Sequence, residues 1–342
     1  MKAAILGAGG WGTALAVHLA RGGWQVSLWA RRQALALELQ QTRENSVYLP
    51  GVRLPENVFP SWRLEEVLSP KDLVILAIPS QALRSSLARV EPSFWRGEPL
   101  LLQAAKGLEL GTFARLSQVV AASVPQRLQE RIAVLSGPNH AEEIARGFPA
   151  ASVVASGNEK AARQAQAFLM GKTLRIYINR DLVGVELGGA LKNIIALAAG
   201  ICDGLGLGDN TKATVITRGL AEIVRLAIKL GAEASTFAGL SGMGDLIATA
   251  GSKHSRNWRA GYEIGQGEDP QNVLQGPQVV EGAPTARSAL ELAQKLAVPM
   301  PITEGVCQIL KGREPLEVVA KLMEREPKAE MDHSGLWSRG EV

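Results

Sequence analysis

Cysteine is scarce in this chain of 342 residues: Cys202 and Cys307 stand far apart and are the only two. That excludes a disulfide framework and a paired-cysteine zinc site, and reads as two buried free thiols. The four histidines, His18, His140, His254 and His333, are scattered without ligand spacing, so no metal is expected. Aromatic residues make up only 5% of the chain, and the basic residues form no extended aromatic-rich surface. With a net charge of +4, an anionic small ligand fits and a nucleic-acid partner is not expected. No apolar run is expected to approach the roughly eighteen residues that span a bilayer. The longest candidate, Ile194 to Ala199, continues into Gly200, Cys202 and Asp203. The N-terminus enters its first strand at once, so no secretory leader is expected. A cytoplasmic enzyme that is not an integral membrane protein fits these absences and is the expectation.

Glycine, by contrast, is abundant and patterned. Residues 3–6 read as a buried strand, followed by Gly7-Ala8-Gly9-Gly10-Trp11-Gly12 with G-x-G-x-x-G spacing. Gly7 permits the tight turn, Gly9 lets a pyrophosphate approach the backbone, and Gly12 lets the next helix sit close to the sheet. That helix, Thr13 to Ala20, offers its unpaired N–H groups and dipole to the phosphates. Gly22-Gly23 stops it, and Gln25 to Trp29 alternates as a strand. Strand, glycine turn, helix and strand within about thirty residues predict a dinucleotide site. The competing reading is a glycine-rich turn in some other α/β protein.

Further strands are predicted over Asp72–Pro79, Pro99–Ala105, Ile132–Leu135, Ala151–Val154 and Leu174–Tyr177. Helices are predicted over Ser80–Leu87, Phe113–Ala122 and Lys160–Met170, whereas Gln33–Pro60 is polar and shows few clear periods. The alternation predicts a largely parallel sheet covered on both faces. Near Asp181 strand signals give way to helical periods. The expected fold is therefore α/β: a Rossmann-like dinucleotide-binding domain over 1–180 and a mostly helical domain over 181–342. The charged tail after Glu324 is expected at the surface or partly disordered.

An NAD-selective site usually carries an acid at the end of the second strand. Here that strand ends Trp29-Ala30-Arg31-Arg32, and two guanidinium groups suit a 2′-phosphate. NADP is favoured, with use of both cofactors open and FAD less favoured. An arginine on the adenine face or in solvent is the bland alternative. Trp11 sits at the mouth of the groove, either capping the dinucleotide or packing between domains.

Hydride transfer to a carbonyl needs a proton donor. Lys192, in Gly189-Ala190-Leu191-Lys192-Asn193, is a lysine in an apolar segment, where desolvation lowers its pKa towards a catalytic range. A lysine snorkelling to water is the alternative. Lys106, after the strand Leu100–Ala104, is placed to bind a substrate oxygen or phosphate, or else is a solvated loop residue. Asp245, in Gly242-Met243-Gly244-Asp245-Leu246, either pairs with Lys192 or caps a helix. Arg256, with Ser255 and Asn257 at a helix start, suits a phosphate; an ordinary capped surface helix is the competing account.

In its ordered combination of motifs, the chain resembles the bacterial form of the NAD(P)-dependent glycerol-3-phosphate dehydrogenase family. The motifs are Gly7–Ala14, Ala105-Lys106-Gly107-Leu108, Leu135-Ser136-Gly137-Pro138-Asn139-His140-Ala141, Gly189–Asn193, Ser241–Leu246, Ser255-Arg256-Asn257 and Val279-Val280-Glu281-Gly282. The resemblance implies interconversion of glycerone phosphate (dihydroxyacetone phosphate) and sn-glycerol 3-phosphate, for phospholipid synthesis, by a homodimer. It implies Lys192 as general acid–base residue, held by Asp245. Substrate-binding roles fall on Lys106, Gly137, Asn139, Lys192, Asp245, Ser255, Arg256 and Asn257. Cofactor roles fall on Gly7, Gly9, Gly10, Trp11, Gly12, Arg31, Arg32, Lys106, Ala141, Arg256, Val279 and Glu281. Asn139 stands where many bacterial members have Ser or Thr, all of which can hydrogen-bond, and Trp11 varies across the wider family. The alternatives are a reductase for a non-phosphorylated hydroxyacid, which the segment around Arg256 disfavours, and a non-catalytic dinucleotide-binding regulator, which needs no Lys192–Asp245 pair.

Overall fold

A computed structural model describes residues 1–276 and 279–327. Most of the predicted charged tail lies outside the described residues. The N-terminal part runs β1 (Lys2–Leu6), α1 (Gly10–Arg21), β2 (Gln25–Trp29), α2 (Gln33–Thr42), β3 (Glu44–Asn45), β4 (Leu49–Arg53), β5 (Val58–Ser61), α3 (Leu64–Val67) and β6 (Leu73–Leu76). It continues with α4 (Leu83–Leu87), β7 (Leu100–Gln103), α5 (Leu116–Ala121), β8 (Ile132–Ser136), α6 (Ala141–Arg146), β9 (Ala150–Ala155), α7 (Glu159–Leu169) and β10 (Leu174–Asn179).

An eight-stranded sheet has the order β10-β9-β8-β7-β6-β1-β2-β5. Its central strands are apolar on both faces: every residue of β6 and β7 is buried. Helices cover both sides, which is why these strands lack alternation. The edge strand β10 does alternate, with Tyr177 exposed. Neighbouring strands pair in parallel except β8 and β9, which are antiparallel.

The stretch 33–60 departs from expectation. It holds α2, the β3–β4 hairpin and the sheet-edge strand β5. Its polar residues make contacts that leave no period in the sequence. Asn45 is fully buried, donating from Nδ2 to the Ala8 carbonyl at 3.0 Å and to Thr13 Oγ1 at 2.8 Å, and so props the glycine turn from below.

From Leu182 onward the described residues hold helices: α8 (Leu182–Gly204), α9 (Gly208–Lys229), α10 (Asp245–Ala250), α11 (Arg256–Gly265), α12 (Pro270–Leu274), α13 (Gly282–Lys295), α14 (Pro301–Ile309) and α15 (Pro315–Met323). Asp181 caps α8, accepting from the Gly184 N–H at 2.7 Å, and also accepts from Thr236 Oγ1 at 2.8 Å. α8 is the axis of this part and packs against α9, α10, α11, α13 and α14. Its Gly200 lets α11 approach: a Cβ there would stand 2.1 Å from the Trp258 carbonyl oxygen.

α8 also corrects one expectation. Its 23 residues have a mean hydropathy of 1.5, so by length and composition it could cross a membrane. Of that apolar window 89% is buried inside the protein, which is the environment of a core helix. Both cysteines are buried and free, on α8 and α14, and burial pushes each thiol up to about 11.

Candidate functional site

The glycine turn follows β1, an interior strand of the sheet flanked by β2 on one side and β6 on the other. This is the switch point at which open α/β sheets bind ligands. Gly7 has φ +121°, and a Cβ there would stand 2.5 Å from the Ala77 carbonyl oxygen. A Cβ on Gly12 would reach within 1.9 Å of the Gly7 carbonyl, so the helix seats only without it. A Cβ on Gly9 would meet nothing within 4 Å, so that face of the turn is open for a ligand. Gly10 begins α1 against the Tyr48 carbonyl. α1 has no side-chain cap and no acid in its first turn, so its leading N–H groups and positive dipole end are available to an anion. The residues fit a dinucleotide pyrophosphate.

Trp11 donates from Nε1 to the Ala104 carbonyl at 3.0 Å, pinning its indole to the end of β7. Its ring packs on the core of the first part of the chain, not between the two parts. Ala141 opens α6 beside the turn: its Cβ stands 3.7 Å from the place of a Cβ on Gly10. Arg31 and Arg32 are exposed just past β2. Arg31 has no hydrogen-bond partner among the described residues, whereas Arg32 Nη2 reaches Tyr48 Oη at 3.4 Å.

On the same edge, two lysines converge on one carboxylate. Lys192 on α8 donates from Nζ to Asp245 Oδ1 at 2.5 Å and to Thr249 Oγ1. Lys106, after β7, donates to Asp245 Oδ2 at 2.7 Å, Asn139 Oδ1 at 2.9 Å and the Gly137 carbonyl at 3.0 Å. Burial pulls Lys192 down to about 7, with the Lys106 charge adding to it and Asp245 opposing it. Burial pushes Asp245 up, but the two ammonium groups outweigh it and hold the carboxyl below its usual range. Asp245 is the first residue of α10 and caps nothing; both its oxygens serve lysines. Lys192 is only 5% exposed, so it does not snorkel.

Ser255 and Asn257 have structural partners. The Ser255 hydroxyl oxygen caps α11, accepting from the Trp258 N–H at 3.1 Å. Buried Asn257 donates to Asn193 Oδ1 at 2.9 Å and accepts from the Gly282 N–H at 2.8 Å, joining α11 to α8 and α13. Arg256 between them is exposed, and its guanidinium has no hydrogen-bond or ion-pair partner among the described residues; the charges of Glu281 and Glu142 act on it. Glu281 accepts from the Ser80 N–H at 2.9 Å and from Ser80 Oγ. Burial pushes its carboxyl up against those bonds. Val279 is exposed in the segment before α13.

The structure thus gathers Lys106, Gly137, Asn139, Lys192 and Asp245 into one hydrogen-bonded cluster. Sequence reasoning missed three supports. Thr249 receives Lys192 and donates to the Asp245 carbonyl at 2.6 Å; its four-residue spacing from Asp245 was the available signal. Asn45 and Ser80 act through contacts distant in sequence, and nothing local marks them.

Comparison with known proteins extends this picture. The family model described as "NAD-dependent glycerol-3-phosphate dehydrogenase N-terminus" matches residues 2–162, and its C-terminal counterpart matches residues 181–321. A protein of Moorella thermoacetica named glycerol-3-phosphate dehydrogenase [NAD(P)+] is 51% identical over 336 residues, covering 98% of each chain. One of the same name from Geobacillus kaustophilus is 51% identical over 333 residues, covering 96% of each. The crystal structure of glycerol-3-phosphate dehydrogenase from Coxiella burnetii superposes with a TM-score of 0.89 at 38% identity, covering 95% of this chain and 99% of that one.

Proposed function

Since the chain belongs to the NAD-dependent glycerol-3-phosphate dehydrogenase family, we propose that it interconverts glycerone phosphate and sn-glycerol 3-phosphate with NAD(P)H, supplying glycerol 3-phosphate for phospholipid synthesis. The observation that carries the chemistry is the buried Lys192, paired to Asp245 and drawn down to about 7. A donor poised near neutrality gives up and regains a proton efficiently.

We read residues 1–180 as the cofactor-binding domain and 181–342 as the catalytic one. Gly7, Gly9, Gly10 and Gly12 with the start of α1 hold the pyrophosphate. Trp11, Lys106, Ala141, Arg256, Val279 and Glu281 complete the cofactor groove. Arg31 and Arg32 face the ribose, where their charge favours a 2′-phosphate. When bound, a reduced nicotinamide would supply the hydride for C2 of glycerone phosphate. The Lys192 ammonium donates its proton to the oxygen on C2 and stabilises the charge developing there. Asp245 and Thr249 aim that ammonium. Lys106 binds substrate together with Gly137 and Asn139. Arg256, whose guanidinium is free of protein partners among the described residues, takes the phosphate with Ser255 and Asn257. Gripping that remote group fixes the carbonyl against the reacting centre. The free thiols support a cytoplasmic setting, and the family resemblance supports a homodimer.

The test measures oxidation of NADPH and NADH in parallel, with glycerone phosphate and with small 2-oxo acids. Turnover confined to the phosphorylated ketone is expected. Preference for a 2-oxo acid, or no oxidation at all, would refute the reading.

A further inference from the structure

Behind the lysine cluster lies a second polar junction. Glu186, buried on α8, accepts from the Ser117 N–H at 2.8 Å, Ser117 Oγ at 2.6 Å and Arg115 Nη1 at 2.5 Å. The donors belong to the start of α5 in the first part of the chain; the acceptor rides on the helix that carries Lys192.

Arg115 is also tied to Lys106. Residues 108 to 115 fold back on themselves, with an isolated antiparallel bridge between Leu108 and Arg115 and a Glu109 N–H bond to the Ala114 carbonyl at 3.1 Å. This hairpin continues directly from Lys106-Gly107 and is embedded in the helical part. Leu108 is 1% exposed within that part's core, and Lys295 Nζ lies 4.3 Å from the Phe113 ring centroid. The contacts therefore close a ring. Lys106 leads through the hairpin to Arg115, then to Glu186, along α8 to Lys192, and back through Asp245 to Lys106. A cavity of about 10 Å³, at most the room for one water, touches Lys106, Ser136 and Glu186. Ser136 Oγ is buried there without a partner among the described residues.

We propose that Glu186 is a positioning residue for the reaction: through Arg115 and the hairpin it holds Lys106 at its distance from Lys192. This rests on the reading of Lys192 as the proton donor and deepens it. The spacing matters because Lys106 and Lys192 repel each other across Asp245. The ionisable groups facing Lys192 are Asp245 on α10, Lys106 after β7 and His140 before α6. Glu186 itself pairs with Arg115. Loosening the latch lets Lys106 withdraw, which relieves the repulsion and makes the Lys192 proton harder to remove.

The experiment compares Glu186→Gln and Glu186→Asp with the unaltered full chain. It reads the pH profile of kcat/KM for glycerone phosphate, the KM, and the NADPH dissociation constant. Glutamine keeps the size and loses the charge; aspartate keeps the charge and loses the reach. In both, the alkaline midpoint should rise by about half a pH unit or more, since a like charge moved away favours the charged form. KM should rise about threefold or more, and the NADPH dissociation constant should change less than KM, because Lys106 is one of several residues assigned to the cofactor groove while the substrate depends on it directly. Direction separates this from a simple field effect: deleting a negative charge would by itself lower the midpoint. Should Glu186→Gln fail to fold, the aspartate variant carries the same test. Midpoints that stay put or fall, whatever happens to thermal stability, overturn the proposal. An unaltered enzyme without turnover overturns the assigned reaction instead.

Discussion

Raising the pH through neutrality should switch off reduction of glycerone phosphate while favouring the reverse oxidation. The perturbed group is Lys192, drawn down to about 7 chiefly by burial. In the proposed mechanism reduction needs its ammonium as acid, and oxidation of sn-glycerol 3-phosphate needs its free amine as base. With a midpoint at about 7, the charged fraction falls to about a tenth at pH 8 and a hundredth at pH 9. An ordinary lysine near 10.4 would stay almost wholly charged over that range, so burial accounts for a roughly hundredfold loss at pH 9. The assay is the initial rate at subsaturating glycerone phosphate and saturating NADPH from about pH 6 to 9.5, repeated in the oxidative direction. Both substrates carry the phosphate, so opposite slopes assign the midpoint to the amine. Asp245→Asn should move that midpoint down, because the carboxylate favours the ammonium and its loss leaves burial and the Lys106 charge unopposed. A reduction profile flat from pH 6 to 9, or one that rises, would refute the reasoning.

Lys192→Ala should lose most turnover, about a hundredfold or more as expected for a missing general acid, while still binding cofactor in a fluorescence titration; unchanged turnover would unseat the assignment. Arg31→Ala should weaken NADPH by about tenfold, the scale of one charge-assisted hydrogen bond, and leave NADH nearly unchanged in the same titration. Equal losses would defeat the 2′-phosphate argument. Gly12→Ala should destabilise the chain by about 1–3 kcal/mol in a denaturant melt, since the new Cβ would stand 1.9 Å from the Gly7 carbonyl oxygen; an unaltered melt would contradict that close approach.

Much of the fold was legible because its central strands are buried on both faces and so appear as unbroken apolar runs. β1, β6 and β7 lie where such runs stand, and β2 where the sequence alternates. The stretch 33–60 was not legible. Its hairpin earns no period, because Asn45 is buried for the sake of Ala8 and Thr13. α8 was misjudged for a related reason. Glu186, Lys192 and Asn193 interrupt its apolar sequence, yet each is satisfied by a partner from another element, so the helix runs on as one buried rod.

Residue type and spacing alone determined that the glycine turn is shaped to fit a pyrophosphate, that no acid follows β2, and that Lys192 and Asp245 sit in apolar settings. Those properties are local: they need only a backbone without Cβ atoms, or a charged group set in an otherwise apolar, glycine-rich run. Tertiary structure alone decided that Asp245 is shared by two lysines, that Thr249 completes their cluster, and that Asn257 braces three helices while Arg256 beside it stays free. It also decided how acidic Lys192 is. A lysine's pKa depends on the burial and charges around it, and those arrive from β7 and α10, far away in sequence and joined to α8 only when the chain folds.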